Sequence, residues 1–154
     1  MPKHTYNDAH FDSIYLRLVA PSDSKTSNVV GVTSPGRGEG GTTVSIGLAR
    51  SAIRAGASGA LIIDASPRGQ RVADALGLKN NPLTSIQADA VCAADHLEAH
   101  IDRCANLGIN VLTLDSSQVV SEDTEFWQKA LDQLRTTYSF IVVDAADLNS
   151  PVPR

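Results

Sequence analysis

Short apolar runs alternate with stretches of helical periodicity along this chain. Val29–Val32, Ala60–Ile63, Ile109–Leu114 and Phe140–Val143 read as buried strands, the second closed by Asp64 and the last by Asp144. Phe11, Ile14, Leu18 and Val19 fall at helical spacing, which predicts a short amphipathic helix over 11–19. A second helix runs from a Thr42 cap to about Ala55 through Val44, Ile46, Leu48, Ala49 and Ile53, and Gly56 and Gly59 end it. A short helix is predicted over Arg71–Leu76, and residues 79–91 read as loop. Ala93–Asn106 reads as a helix with Ala94, Leu97, Ile101 and Cys104 on one face. The last helix starts at Ser121, carries Glu122, Asp123 and Glu125 in its first turn, and runs to about Thr137.

This alternation predicts an α/β fold with three α/β/α layers and a mainly parallel sheet. Residues 1–27 form an N-terminal helix and polar linker, and 28–154 form the main body of what is a single domain overall. In such sheets the ligand site lies at the carboxyl ends of the strands.

Composition narrows the function classes. The 154 residues carry a net charge of −4, which favours neither nucleic acid nor an anionic membrane as partner. No apolar run reaches the roughly 20 residues of a membrane span, and Met1-Pro2-Lys3-His4 does not open a secretory signal. Cys92 and Cys104 are too few for a disulfide scaffold, so the expected location is cytoplasmic.

The chemistry concentrates after the first strand. Gly36, Arg37, Gly38, Glu39, Gly40, Gly41, Thr42 and Thr43 form a glycine-rich loop that runs into a helix start. Glycines let backbone N–H groups converge, and a helix N-terminus adds positive potential, so strand, glycine loop and helix together suit an anion such as phosphate. A P-loop reads G-x-x-x-x-G-K-[ST]. Here Gly41 stands where the lysine belongs and Pro35 where the first glycine belongs. The bland reading of the same segment is a tight strand–helix turn with no ligand. For Asp64 and Asp144 the bland reading is a strand-end carboxylate or a helix cap.

Thr33-Ser34-Pro35-Gly36-Arg37-Gly38-Glu39-Gly40-Gly41-Thr42-Thr43 resembles the loop T-S-P-x-x-G-E-G-K-T-T of the P-loop tyrosine autokinases of bacterial polysaccharide export, cousins of the ParA/MinD ATPases. Ile63-Asp64-Ala65-Ser66-Pro67-Arg68 resembles that family's second acidic motif, I-D-A-D-x-R, and Tyr138–Asp144 its later aspartate-bearing strand. The resemblance spans roughly residues 11–148. It implies ATP or ADP as ligand, with Gly36–Thr43 and Arg68 on the nucleotide and Thr42, Asp64 and Asp144 around Mg²⁺. It also implies a membrane polysaccharide co-polymerase or related export protein as partner, a cytoplasmic place peripheral to the inner membrane through that partner, and a homo-oligomer as one assembly.

The departures set the functional expectation. Gly41 supplies no charge for the β- and γ-phosphates, a loss of about 1.5–3 kcal/mol or more per charge-assisted contact. Ser66 removes one carboxylate from the second motif. The tyrosines stand at 6, 15 and 138, and Ser150–Arg154 shows no terminal tyrosine cluster. The E-x-x-R-x-x-R pattern of the family's first helix falls on Ala9, Asp12 and Tyr15. The expectation is a catalytically impaired, pseudokinase-like protein with a regulatory or interaction role in exopolysaccharide export. Nucleotide binding is expected to be weak or absent, and Asp64 and Asp144 to be catalytic remnants. Two alternatives stay open. One is an active ATP-dependent tyrosine kinase or ATPase that uses Arg37, Arg68 or a partner's lysine; the other is an interaction module that binds no nucleotide. Arg68 reads equally as a surface ion pair. Cys92, His96, His100 and Cys104 recur every four residues; adjacent members suit zinc, but the series spirals round a helix and Cys104 falls on the apolar face. Phe126 and Trp127 read as core or helix–sheet contacts.

Overall fold

Among the described residues the chain forms five strands, all but the third from β-branched and aliphatic runs: β1 (Asn28–Val32), β2 (Ala60–Asp64), β3 (Ile101–Cys104), β4 (Ile109–Thr113) and β5 (Phe140–Asp144). The structure is a computed structural model that describes residues 7–19, 26–36, 38–66, 71–79, 82–83, 94–114 and 124–145. The sheet order is β1-β5-β2-β4-β3. β1, β5, β2 and β4 are parallel, and β3 joins the edge antiparallel to β4. The helices among the described residues are α1 (Asp8–Val19), α2 (Gly41–Arg54), α3 (Arg71–Leu76), α4 (Ala94–Ala99) and α5 (Thr124–Thr137).

Alternate strand residues feed two cores. Ile62, Val111, Phe140 and Val142 face one side, where Ile46, Leu48 and Ala49 of α2, Val72 of α3 and Tyr15 of α1 pack against them. Leu61, Ile63, Leu112 and Ile141 face the other, covered by Leu97 of α4 and by Ala130 and Leu134 of α5. Trp127 packs partly buried against this second core, as a helix–sheet contact. The expected three-layer α/β/α order with a mainly parallel sheet is therefore the observed one.

α1 is fastened to α2 from within the chain. Asp8 pairs with Arg50 and Arg54, and Asp12 pairs with Arg54. Between these pairs Phe11 lies directly over Gly47, where a β-carbon would stand 2.6 Å from the ring. Tyr15 meets Phe140 edge to face at 5.0 Å between ring centres. Asp12 and Tyr15, two of the positions matched to the ring-forming pattern, thus serve the docking of α1 on its own domain.

Two sequence expectations change. The helix expected over Ala93–Asn106 is α4 followed by β3: residues 101–104 pair with 109–112 across a hairpin. Gly108, at φ 68°, closes the turn, with its amide donating to the Cys104 carbonyl. Ile101 and Cys104 satisfy helical spacing equally well, but the exposed edge of β4 offers them a ladder of backbone hydrogen bonds. Cys104 is accordingly a free, buried strand residue and His100 a turn residue, so the four-residue metal spacing does not survive. Cys92 and the side chain of His96 lie outside the described residues, as do Ser121–Asp123 and the side chain of Phe126. Second, the cap of α2 is Gly40 in the left-handed conformation, with no side-chain hydrogen bond; the Thr42 hydroxyl is used elsewhere.

Candidate phosphate-binding site

The carboxyl ends of the strands bring four residues level. Val32, Asp144, Asp64 and Thr113 are successive register partners across β1, β5, β2 and β4. By strand alternation all four point to the side that carries α2 and α3. β1 runs out beside them into the glycine loop, so the loop, the first turn of α2 and the two aspartates converge.

The loop's shape depends on particular glycines. Gly38 and Gly40 hold φ values of 81° and 88°, a region that L side chains rarely adopt. Ser34 Oγ donates to the Gly36 carbonyl at 3.1 Å and braces the entry to the turn. The first helical hydrogen bond of α2 runs from the Val44 amide to the Gly40 carbonyl at 3.0 Å. Among the described residues, no acceptor stands opposite the backbone amides of Gly38, Glu39, Gly40, Gly41, Thr42 or Thr43. Ser34, Gly38–Thr43 and Arg71 line a pocket of about 300 Å³.

The two aspartates have different tasks. Thr42 Oγ1 donates to Asp144 Oδ2 at 3.1 Å, joining the helix start to the end of β5. Asp64 is fully buried and accepts two backbone amides, from Ser66 at 3.2 Å and from Val72 at 3.0 Å. Asp64 therefore caps the first turn of α3, which is the bland role considered for it, while lying beside Asp144. Burial, reinforced by the neighbouring Asp64 charge, pushes the Asp144 carboxyl up to about 6, with the Thr42 hydrogen bond and Arg71 pulling the other way. The buried hydroxyls of Ser66 and Thr113 have no hydrogen-bond partner among the described residues.

The structure thus gathers Gly36, Gly38, Glu39, Gly40, Gly41, Thr42, Thr43, Asp64 and Asp144 at one end of the sheet. Arg37 and Arg68 lie outside the described residues. Arg71, the first residue of α3 and not among the residues the sequence singled out, also lines this pocket. Sequence reasoning passed over Arg71 because it is remote from the loop in the chain. Its signal was position, a basic residue opening the helix that follows a strand's carboxyl end.

Mg²⁺ asks for hard oxygen donors. The Thr42 hydroxyl and the Asp144 carboxylate meet that need, and the two orphaned hydroxyls beside Asp64 mark a polar interior able to take ordered water. Asp64 can add little to metal binding while its oxygens hold amides. Among the described residues no group of three or more His, Cys, Asp or Glu is placed to hold a metal ion.

No protein-family profile matches the sequence, and no curated protein matches it. Solved structures do match in fold. The chimerical protein CapA2B2 superposes with a TM-score of 0.69 at 21% identity, over 91% of this chain and 61% of that one. The kinase domain of the Escherichia coli tyrosine kinase ETK gives 0.66 at 19% identity, over 91% of this chain and 54% of that one. The MinC:MinD cell division complex of Aquifex aeolicus gives 0.61 at 20% identity, over 82% of this chain and 50% of that one. This chain spans about three fifths of the length of CapA2B2 and about half that of the other two. The glycine loop, the strand-end aspartates and these superpositions agree on one conclusion: the fold is that of the P-loop NTPases that include MinD and the bacterial tyrosine kinase domains.

Proposed function

We propose that this protein is a degenerate P-loop domain of the tyrosine-autokinase type, which binds the phosphates of ATP or ADP weakly and has lost phosphoryl transfer. Its role is then regulatory, as an interaction partner in a bacterial exopolysaccharide export assembly. The observation that carries the reading is the run of six unpartnered amides at Gly38–Thr43, next to the Thr42–Asp144 pair, with glycine at position 41. The amides support anion binding. The missing loop charge, Ser66 in place of an acid, and the use of Asp64 as a cap of α3 support impaired catalysis.

In such a site the loop amides orient the phosphate tail, and the start of α2 adds its dipole. Thr42 and Asp144 would hold Mg²⁺, which when bound neutralises phosphate charge. Asp64 is fully buried and its oxygens face amides, so it is not placed as the general base for an incoming hydroxyl.

The tyrosines add support. Tyr15 and Tyr138 are both buried, and burial, with help from Glu98, pushes the Tyr138 hydroxyl up to about 12. Neither is presented as a phosphoacceptor; Tyr6 lies outside the described residues. Among the described residues no helix is long and apolar enough to cross a membrane.

Calorimetric titration with Mg·ATP, paired with a phosphotyrosine assay, tests this. Weak saturable binding without phosphotyrosine is expected. Autophosphorylation at the ~1–100 s⁻¹ of ordinary kinases would refute it; no heat at millimolar nucleotide would favour the interaction module.

A further inference from the structure

We infer that Arg71 is a phosphate-binding cation of this pocket, supplied from the start of α3 where position 41 lacks the lysine. The inference rests on the reading of the pocket as a nucleotide site, and it names the group that makes such binding possible there.

Three observations carry it. First, Arg71 lines the same pocket as Gly38–Thr43, although 27 residues of chain separate it from Thr43. Second, its position is built. Asp64 accepts the amide of Val72, the residue next to Arg71, at 3.0 Å and the amide of Ser66 at 3.2 Å. A fully buried carboxylate on the central strand β2 thus fixes the first turn of α3 over the loop. Third, Arg71 makes no salt bridge within 4.0 Å to any described residue, although two buried aspartates lie nearby. Its charge reaches Asp144, but that carboxylate is taken up with Thr42. A guanidinium beside six unpartnered amides in a space of about 300 Å³ forms, with them, an anion cradle.

The chemistry of arginine fits the task. Its planar fork bonds two phosphate oxygens at once and stays charged at every physiological pH. Coming from α3, it approaches the phosphates from the side, not from within the loop. Asp64 then acts as a positioning residue for this cation through the peptide amide it holds. Glu39, also on the pocket wall, opposes an anion, so Arg71 must offset it as well as the phosphate charge.

The test is titration of Mg·ADP into the wild-type protein, Arg71→Ala, Arg71→Lys, Gly41→Lys and the double variant Gly41→Lys/Arg71→Ala, each checked for folding by far-UV circular dichroism. Arg71→Ala is expected to weaken binding about 10- to 100-fold, the range of one lost charge-assisted contact. Arg71→Lys should recover part of the loss, and Gly41→Lys should restore binding in the Arg71→Ala background. Binding by Arg71→Ala equal to wild type overturns the inference and leaves the nucleotide-site reading intact. Binding by Gly41→Lys with none by wild type also overturns it, because Arg71 then does not compensate. Failure of every variant to bind removes the nucleotide site itself. If Arg71→Ala does not fold, Arg71→Gln, which keeps the length and removes the charge, decides: undiminished binding by it sinks the assignment.

Discussion

Asp64 and Asp144 are register partners on neighbouring parallel strands, both almost wholly withdrawn from water, at 0% and 4% exposure. Two acids so placed make the end of the sheet electrostatically expensive, and Asp144 titrates at about 6 instead of 3.8. The folded protein thus binds this proton more tightly than the unfolded chain does. Its contribution to stability is greatest below about pH 4 and declines as pH rises toward 6. Asp144→Asn is expected to raise stability at pH 7.5 by about 2–3 kcal/mol and to flatten the decline between pH 4 and 6. Urea unfolding across that range checks it; a wild-type stability that climbs with pH between 4 and 6, with no change in Asp144→Asn, contradicts it.

Position 41 has room for the side chain it lacks. A β-carbon there would meet Ser34 at 3.6 Å and Asp144 Oδ1 at 3.8 Å, both ordinary contacts. Gly41→Lys should therefore fold, gain about tenfold or more in ATP affinity, and bring a cation beside Asp144. The carboxyl should then titrate below its present value of about 6, as carbon-13 NMR of the Asp144 carboxyl can follow. A lysine variant with unchanged affinity and an unchanged titration would show that position 41 does not face the phosphate site.

Gly38 and Gly40 are demanded by backbone shape, not by crowding. Both have positive φ, and a β-carbon at either would meet nothing within 4 Å. Gly40→Ala is expected to cost about 1–2 kcal/mol from the left-handed conformation and to lose phosphate binding as the amides turn away. Thermal melting with and without ADP measures both effects; unaltered ligand stabilisation in this variant would argue against the amide nest.

The α1–α2 seam allows a separate test of the fold. Gly47→Ala drives a methyl group into the Phe11 ring, with an expected loss of about 1–3 kcal/mol. Adding Phe11→Ala should recover part of that loss, although Phe11 also buries apolar area of its own. A double-variant cycle in urea reads the coupling, and strict additivity would mean that α1 does not dock as described.

Particular residues show how much of this was legible in the sequence. The runs at Val29, Ala60, Ile109 and Phe140 located four of the five strands, since a buried parallel strand is nearly uniformly apolar. The short helix expected around Arg71–Leu76 is the observed α3. The fifth strand was hidden because Ile101 and Cys104 fit two periods, and only the free edge of β4 decides between them. The loop and both aspartates could be found from glycine density and strand ends. A helix cap was one reading of Asp64, but the amide it would hold could not be named: that depends on α3 folding back so that the Val72 amide reaches it. Arg71 was missed for the same reason, as a contact between elements that no local spacing encodes.

Calorimetric titration of Mg·ADP into the wild-type protein tests the central claim most directly. An amide nest clamped from the side by one arginine predicts saturable binding, with a dissociation constant on the order of 10 μM to 1 mM. An absence of heat at several millimolar ADP, in a protein that melts cooperatively, would contradict it.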